Sequence, residues 1–479
     1  MMPADIVQQL DPIFKAKSVA FIGASKTPGK WGYRAIERAI NSGYRGRMYP
    51  VNPGGGEILG LKAYPDVLDI PRDVDLAVFT LPAEHMPAVM RSCVQKGIKG
   101  GVVITADFAE TGDHGRQLQD EIVRIARKGG MRFIGPNGMG IWTSAVWLNF
   151  ALEPAPKPGP LAFVSQSGTF GGSLAHIANI KGYGLSKFVS IGNQADLKIP
   201  DLLEYLAEDP DTKVIVLYVE GVMEGRRFLE VARRVVQRKP ILVYKGGSSP
   251  EGARATLSHT ASIAGSNAVF DAMCRQAGIL KAREVEHLFV MAEALISQPL
   301  PRSNRIAVIG SGGQGVVTVD ALSNLGMRVP ALDDDARRRI KEVLPPHAPV
   351  PGNPVDFAGG ARTALQEARV AEQLAQLDYI DGIITNVPTT FSLARTVGAA
   401  ARVGIEGAEL LASIPEKYGK PILTQRFRAH GEDLIINILQ GAGIPYYTTP
   451  EESALAMFAL VRYGQIRSAL EDTVGVLDD

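Results

Sequence analysis

The chain has 479 residues and a net charge of +1, with 46% hydrophobic and 21% charged residues. That length suggests about three domains at roughly 150 residues each, and the charge balance, with no basic tract interleaved with aromatics, excludes a nucleic-acid binder. Few aromatics (7%) beside 51 glycines and 31 prolines favour α/β architecture over β-sandwiches.

The first residues, MMPADIVQQLDPIFKAKS, include acidic side chains and no apolar stretch of signal-peptide length. No run of about 18 apolar residues occurs, so no membrane span is expected. Cys93 and Cys274 lie far apart in helical patterns and read as reduced thiols of a cytoplasmic protein. The histidines are scattered, with neither HExxH nor CxxC, so no metal site is expected.

One opening occurs three times: SVAFIGAS at 18–25, PLAFVSQSG at 160–168 and RIAVIGSGG at 305–313. Each short apolar run meets small residues and then a helical pattern, the strand–turn–helix start of a doubly wound α/β domain. The first segment continues with strands expected at 46–51, 74–80, 101–104 and 132–134. The second offers LAFV, FVSI, VIVLYV and PILVY, and the third IAVI, IDGIITNV, PILTQ and IPYYT. Proline-rich LEPAPKPGP (152–160) and SQPLPRSNR (297–305) read as connections, giving domains at 1–151, 160–297 and 304–479.

The glycine-rich turns are candidate phosphate cradles, because such turns aim backbone N–H groups and a helix N-terminus at a ligand. GASKTPGKW (23–31) imitates a P-loop but is one residue too long, with Trp31 where a Mg²⁺-binding hydroxyl belongs. Gly310, Gly312 and Gly315 spell GxGxxG. The acidic partner about 20 positions on would fall in ALDDD (331–335), past a clean strand end, so a packing turn accounts for these glycines better than a dinucleotide.

In the first segment, Gly23, Ala24, Ser25, Pro28 and Lys30 form a longer loop. Asn52 and Pro53 follow the second strand, Leu81 and Pro82 the third, Ile104 and Thr105 the fourth, and Asn137 the fifth. Turn chemistry alone explains such residues. Their place at one carboxyl edge of a parallel sheet, where open α/β sheets bind ligands, favours a cofactor site. Further on, His259 sits in ATLSHTASIAG between Ser258 and Thr260, among residues too small to build a core.

The ordered set SVAFIGAS, PVNPGGGEILGLKAYP, FAETG, FIGPNGMGI, FVSQSG, SIGNQADL, YVEGV, KGG, LSHTASIAG, NPVDF and GIPYYTTPEESA resembles the α subunits of NDP-forming acyl-CoA synthetases. These are the ADP-forming acetyl-CoA synthetases and, more distantly, the succinyl-CoA synthetase α subunit. The resemblance covers nearly the whole chain. It implies three doubly wound domains: a Rossmann-like coenzyme A-binding domain, then two flavodoxin-like domains of the succinyl-CoA synthetase type. It implies the reaction acid + CoA + ATP ⇌ acyl-CoA + ADP + phosphate, with His259 phosphorylated and Glu220 of YVEGV orienting it. A carboxylate that fixes one ring nitrogen leaves the other nucleophilic.

Ser165, Gln166, Ser167 and Gly168, with Gly192 and Asn193, are expected to surround that phosphate with backbone donors. ATP, ADP and Mg²⁺ are expected on an ATP-grasp β subunit, in an α2β2 assembly. Gly171 and Gly172 are expected to leave room for a bulkier acid. The chain departs from its relatives at Gly54, Asp107 and Gly138, which carry no transferred role. Two other readings fit parts of the sequence. One is a coenzyme A-binding scaffold without turnover, and the other a nicotinamide-dependent oxidoreductase using the 310–315 glycines.

Overall fold

The structure, a computed structural model, describes residues 5–260, 266–310, 312–358, 363–387, 399–426 and 434–475. The chain divides into two compact units, Met1–Arg283 and Glu284–Asp479.

The first unit holds two sheets. In one, five strands lie in the spatial order Arg47–Val51, Ser18–Ile22, Leu76–Phe79, Gly100–Val103, Arg132–Ile134, all parallel. The strands adopted by SVAFI and LAVF are buried along their whole length. Helices cover both faces, which is why parallel strands read as continuous apolar runs. Sequential neighbours of Ser18–Ile22 leave on opposite sides, so a switch point opens beside Gly23.

The second sheet repeats this winding. Leu161–Ser165 is flanked by Leu185–Ser190 and Val214–Val219, and Ile241–Lys245 and Leu280–Lys281 continue it, all parallel. Gly140–Thr143 extends the sheet antiparallel on Leu185–Ser190, and Leu148–Asn149 pairs antiparallel with Gly140–Thr143 at the edge. These two strands precede the proline-rich connection, so the sequence expected at the end of the first domain pairs with the second sheet. Short strands after a turn carry too little periodicity to reveal that pairing.

Helix Gly225–Val236 shows how sequence sets a face. Phe228, Val231, Ala232, Val235 and Val236 are buried at helical spacing. On its other side Arg227 reaches Asp201 at 2.6 Å. Asp196, its side chain fully buried, holds the ends of two elements of the first sheet's layer. Arg127 Nε and Arg132 Nε donate to it at 2.8 and 2.9 Å, and Phe133 N at 3.0 Å.

The second unit contains a third sheet, in the order Val355–Asp356, Ile306–Gly310, Gly382–Asn386, Ile422–Gln425, Tyr446–Tyr447, again all parallel. Helix Val285–Ser297, expected at the end of the second domain, belongs to this unit. All three sheets are thus doubly wound α/β, as the three repeated openings require. Among the described residues no helix is long and apolar enough to cross a membrane.

Candidate functional site

The loop after Ser18–Ile22 is fixed largely by its own backbone. Gly23 N and Ala24 N both donate to Val51 O at 3.1 Å, Asn52 Nδ2 donates to Ala24 O at 2.8 Å, and Asn52 Oδ1 accepts from Gly54 N at 2.8 Å. A Cβ on Gly32 would stand 2.1 Å from Gly23 O, so glycine there lets helix Trp31–Asn41 approach the turn. The expectation that Gly23 and Ala24 offer their N–H groups to a ligand is therefore corrected: the strand edge consumes them. What stays open is cationic. Pro28 and Lys30 are exposed, and Lys26 Nζ lies 3.0 Å from a Cβ position on Gly56, over the turn that follows Pro53. Reading GASKTPGK as a failed P-loop had hidden Lys26.

A cleft of about 840 Å³ joins the carboxyl edges of the two sheets. The first sheet contributes Leu81, Pro82, Ile104, Thr105 and Asn137, and the second Gln166, Ser167, Gly168, Gly192, Asn193 and Glu220. Gly23, Ala24, Ser25, Pro28, Lys30, Asn52, Pro53 and Ser165 are not in its lining, while Trp31, the first residue of the helix that follows Lys30, is. Side chains stitch the two edges together. Asn193 Nδ2 donates to Glu110 Oε2 and, at 3.1 Å, to Gln119 Oε1, and Asn137 Nδ2 donates to Asn193 Oδ1 at 3.3 Å. Glu110 is held in turn by Asp107 N and Phe108 N at 2.8 and 3.1 Å. Glu110 stood in FAETG without an assigned role and Gln119 in no motif, because the pattern that recruits them is spatial.

At the second sheet's edge, Ser167 caps helix Gly168–Ile180 by accepting from Phe170 N at 3.3 Å, and Ser165 Oγ donates to Ser167 O at 2.6 Å. Gln166 N donates to Tyr218 O and Asn193 N to Pro136 O, at 3.1 and 2.9 Å. Those two N–H groups serve the fold, which corrects their expected role as phosphate donors. The first-turn N–H groups of Gly168 and Thr169 have no intrahelical acceptor, and both residues line the cleft. A helix N-terminus there favours an anion.

Glu220 is only 5% exposed. Its backbone N and that of Gly221 donate to Gln166 Oε1, the latter at 3.1 Å, and Tyr218 Oη donates to Glu220 Oε1 at 3.3 Å. Burial, then the neighbouring Glu220 charge, pushes the Tyr218 hydroxyl well above its ordinary pKa. Tyr218 therefore stays a neutral donor.

Gly171 and Gly172 do not line the cleft, contrary to their expected role as pocket room. A Cβ on Gly171 would meet Ser165 Oγ at 2.4 Å, so this glycine seats the helix on its strand, and Gly172 faces Met139. Gly138 admits no side chain, since a Cβ there would lie 2.5 Å from Ser190 O. Asp107 takes a left-handed φ of 71° and lines the cleft. His259 is the penultimate residue of helix Pro250–Thr260. Its side chain, and residues 261–265, lie outside the described part, as does His430. His85 and His114 are exposed at helix ends, and His176 is exposed on helix Gly168–Ile180. Among the described residues no cluster suits a metal ion.

The third sheet's glycine motif behaves as a packing turn. A Cβ on Gly310 would meet Gly315 Cα at 2.8 Å. The Gly312 N–H, which a pyrophosphate would need, donates to Asp356 Oδ1 at 3.2 Å. Asp333 of ALDDD caps helix Asp334–Val343, accepting from Ala336 N at 2.8 Å. The oxyanion donor and the acidic partner of a dinucleotide site are thus both engaged elsewhere.

Three family models match in succession: a CoA binding domain over residues 17–143, a succinyl-CoA ligase-like flavodoxin domain over 158–295, and a ligase-CoA domain over 305–413. The chain is 39% identical over 457 residues to the Pyrococcus furiosus acetate–CoA ligase [ADP-forming] II subunit alpha, covering 95% of this chain and 97% of that one. It belongs to the α-subunit family of ADP-forming acyl-CoA ligases. A longer family member, acetate–CoA ligase [ADP-forming] II of Archaeoglobus fulgidus, is 36% identical, with 96% of this chain matching 68% of that protein. The fold matches the dinucleotide-forming acetyl-coenzyme A synthetase 1 of Ca. Korarchaeum cryptofilum, solved with phosphate and ADP. The TM-score is 0.86 at 34% identity, covering 97% and 98% of the two chains.

Proposed function

We propose that the chain is the coenzyme A-binding, phosphohistidine-carrying α subunit of a cytoplasmic ADP-forming acyl-CoA ligase. The observation that carries this reading is the shared cleft, where a loop cluster suited to coenzyme A faces a helix N-terminus and a buried carboxylate. Coenzyme A binds at the first sheet's edge, its phosphates drawn to Lys26 and Lys30 and its thiol directed past Leu81, Thr105 and Asn137. The N–H groups of Gly168 and Thr169 hold the phosphoryl oxygens. Attack of phosphate on the thioester carbonyl of acyl-CoA expels coenzyme A and forms an acyl phosphate. His259 then takes the phosphoryl group and releases the carboxylate, and the same steps in reverse make the thioester. Glu220 accepts the proton on one imidazole nitrogen, so that the other meets phosphorus.

ATP and Mg²⁺ bind an ATP-grasp β subunit in an α2β2 assembly. Support for a separate nucleotide-binding partner comes from the longer Archaeoglobus relative, of which this chain spans 68%. The first sheet's domain serves coenzyme A and the second sheet's serves phosphohistidine, the second taking in Gly140–Thr143 and Leu148–Asn149 while helix Val285–Ser297 goes with the third sheet. The purified chain should bind coenzyme A and become phosphorylated from acyl-CoA and phosphate, yet make no thioester from ATP, acid and coenzyme A until the partner is added. Full turnover by the pure chain would overturn the two-subunit reading, and absence of labelling with any acyl-CoA would overturn the function itself.

The basic loop offers a second check. Lys26→Ala should weaken coenzyme A binding about 10-fold by calorimetry, in line with roughly 1.5–3 kcal/mol for a hydrogen bond to a charged group. Raising salt should narrow the gap between the two proteins, because both lysines are exposed. Equal affinities at low salt would move the coenzyme A phosphates away from this loop. Ala24→Asp is not a useful binding variant: Ala24 is 1% exposed, and a carboxylate there would disrupt the fold first.

A further inference from the structure

A flexible apolar side chain lies where the two sheet edges meet in the cleft. Met139 lines the cleft after Asn137 and Gly138 and before the strand Gly140–Thr143. Its backbone is pinned, with Met139 N donating to Ser190 Oγ at 2.8 Å and the next residue, Gly140, paired with Ser190 across the sheet. Its side chain lies over the start of helix Gly168–Ile180. A Cβ on Gly168 would come within 2.8 Å of Met139 Cγ and 3.3 Å of Sδ, and one on Gly172 within 3.4 Å of Cε. The space vacated by these glycines is therefore occupied, and by an unbranched thioether able to adjust to what it touches.

We propose that Met139 sets the size of the acyl group this protein accepts. The inference rests on the proposed reading of the cleft: an acyl group that passes between a thiol near Leu81, Thr105 and Asn137 and a phosphate near Gly168 must cross the surface of Met139. With the phosphoryl oxygens held at the helix N-terminus, the acyl chain attached to them extends over the methionine side chain. Shortening that side chain opens the space above Gly168 and Gly172 and exposes the glycine faces as extra pocket. Met139 is a specificity-determining residue and takes no part in bond making.

The test is phosphorylation of the full chain from [³²P]phosphate and a series of thioesters, acetyl-CoA, 3-methylbutanoyl-CoA and phenylacetyl-CoA. Wild type, Met139→Ala and Met139→Val are compared, with coenzyme A affinity measured in parallel. A single methylene in an apolar pocket is worth roughly 10–200-fold in discrimination. Met139→Ala should therefore raise the phenylacetyl-to-acetyl ratio of labelling efficiencies by about 10-fold or more, with Met139→Val between it and wild type. Coenzyme A affinity should stay within about twofold, which a general loosening of the fold would not allow. A ratio unchanged within about twofold in either folded variant overturns the role of Met139 while leaving the function standing. No labelling of the wild type by any thioester overturns the reading beneath it and this inference together.

Discussion

Replacing His259 by asparagine should abolish phosphoprotein formation from acyl-CoA and phosphate, and Glu220→Gln should slow it by roughly 10²-fold or more. Asparagine keeps polarity at the position but offers no nucleophilic nitrogen, so the first result is all-or-none. The bound phosphate should be acid-labile and base-stable, as a phosphoramidate is. The second effect is graded for a physical reason. Glu220 is fastened by Gln166 through its backbone and by Tyr218 through its carboxylate, so a glutamine there keeps place and shape. What it loses is the negative charge that favours imidazolium character as the phosphoryl group arrives. Tyr218→Phe removes one hydrogen bond to the carboxylate but leaves its charge in place, and should cost less than Glu220→Gln. Labelling of His259→Asn at the wild-type rate would place the phosphoryl group elsewhere. An unchanged rate in Glu220→Gln would leave Glu220 as a well-packed strand end.

Much of this arrangement was legible in the chain itself. Apolar runs ending in small residues mark the first strand of each sheet, because a strand covered on both faces must be apolar throughout and its helix must start within a tight turn. The switch-point loops of the first sheet followed directly, and with them Leu81, Thr105 and Asn137; Gln166 and Glu220, which only the family resemblance singled out, line the same cleft. What escaped was set by proximity between distant segments. Asn193 was expected to offer its backbone, yet that N–H closes on Pro136, and its side chain instead bridges to Glu110 and Gln119. Gly171 and Gly172 signalled free space, but a glycine reports only that something approaches closely. Here the neighbours are Ser165 and Met139. The two-residue strands Leu280–Lys281 and Val355–Asp356 are too short for a periodic signal and exist because a neighbouring strand presents an open edge.

The second large effect concerns stability and originates in a charge that the sequence placed inside a sheet. Lys187 lies in the strand Leu185–Ser190, paired with Ala162 on one side and Thr143 on the other. Its ammonium meets Asp209 Oδ2 at 2.8 Å, with the two side chains 1% and 3% exposed. Thr212 Oγ1 donates to the same carboxylate oxygen at 2.5 Å and shares a hydrogen bond with Ser186 Oγ at 2.7 Å. Lys239, its own pKa drawn down to about 8 chiefly by burial, caps the carbonyls of Leu206 and Asp209 and so ties down the end of helix Ile199–Glu208. Removing one member leaves the other charge buried without its counter-charge, a loss of about 3–5 kcal/mol. Lys187→Met should therefore lower the urea midpoint of the first unit sharply, and its thermal midpoint by roughly 10 °C. The emission of fully buried Trp142, bonded to Leu185 O at 3.0 Å, reports this transition. Lys187→Met combined with Asp209→Leu should recover most of the loss, because an apolar pair of similar volume avoids the desolvation of both ions. A Lys187→Met protein as stable as wild type would mean that water reaches Asp209 in solution. A double variant no better than the single would show instead that the helix end depends on Asp209 through Thr212, so that the carboxylate is needed there even without the lysine.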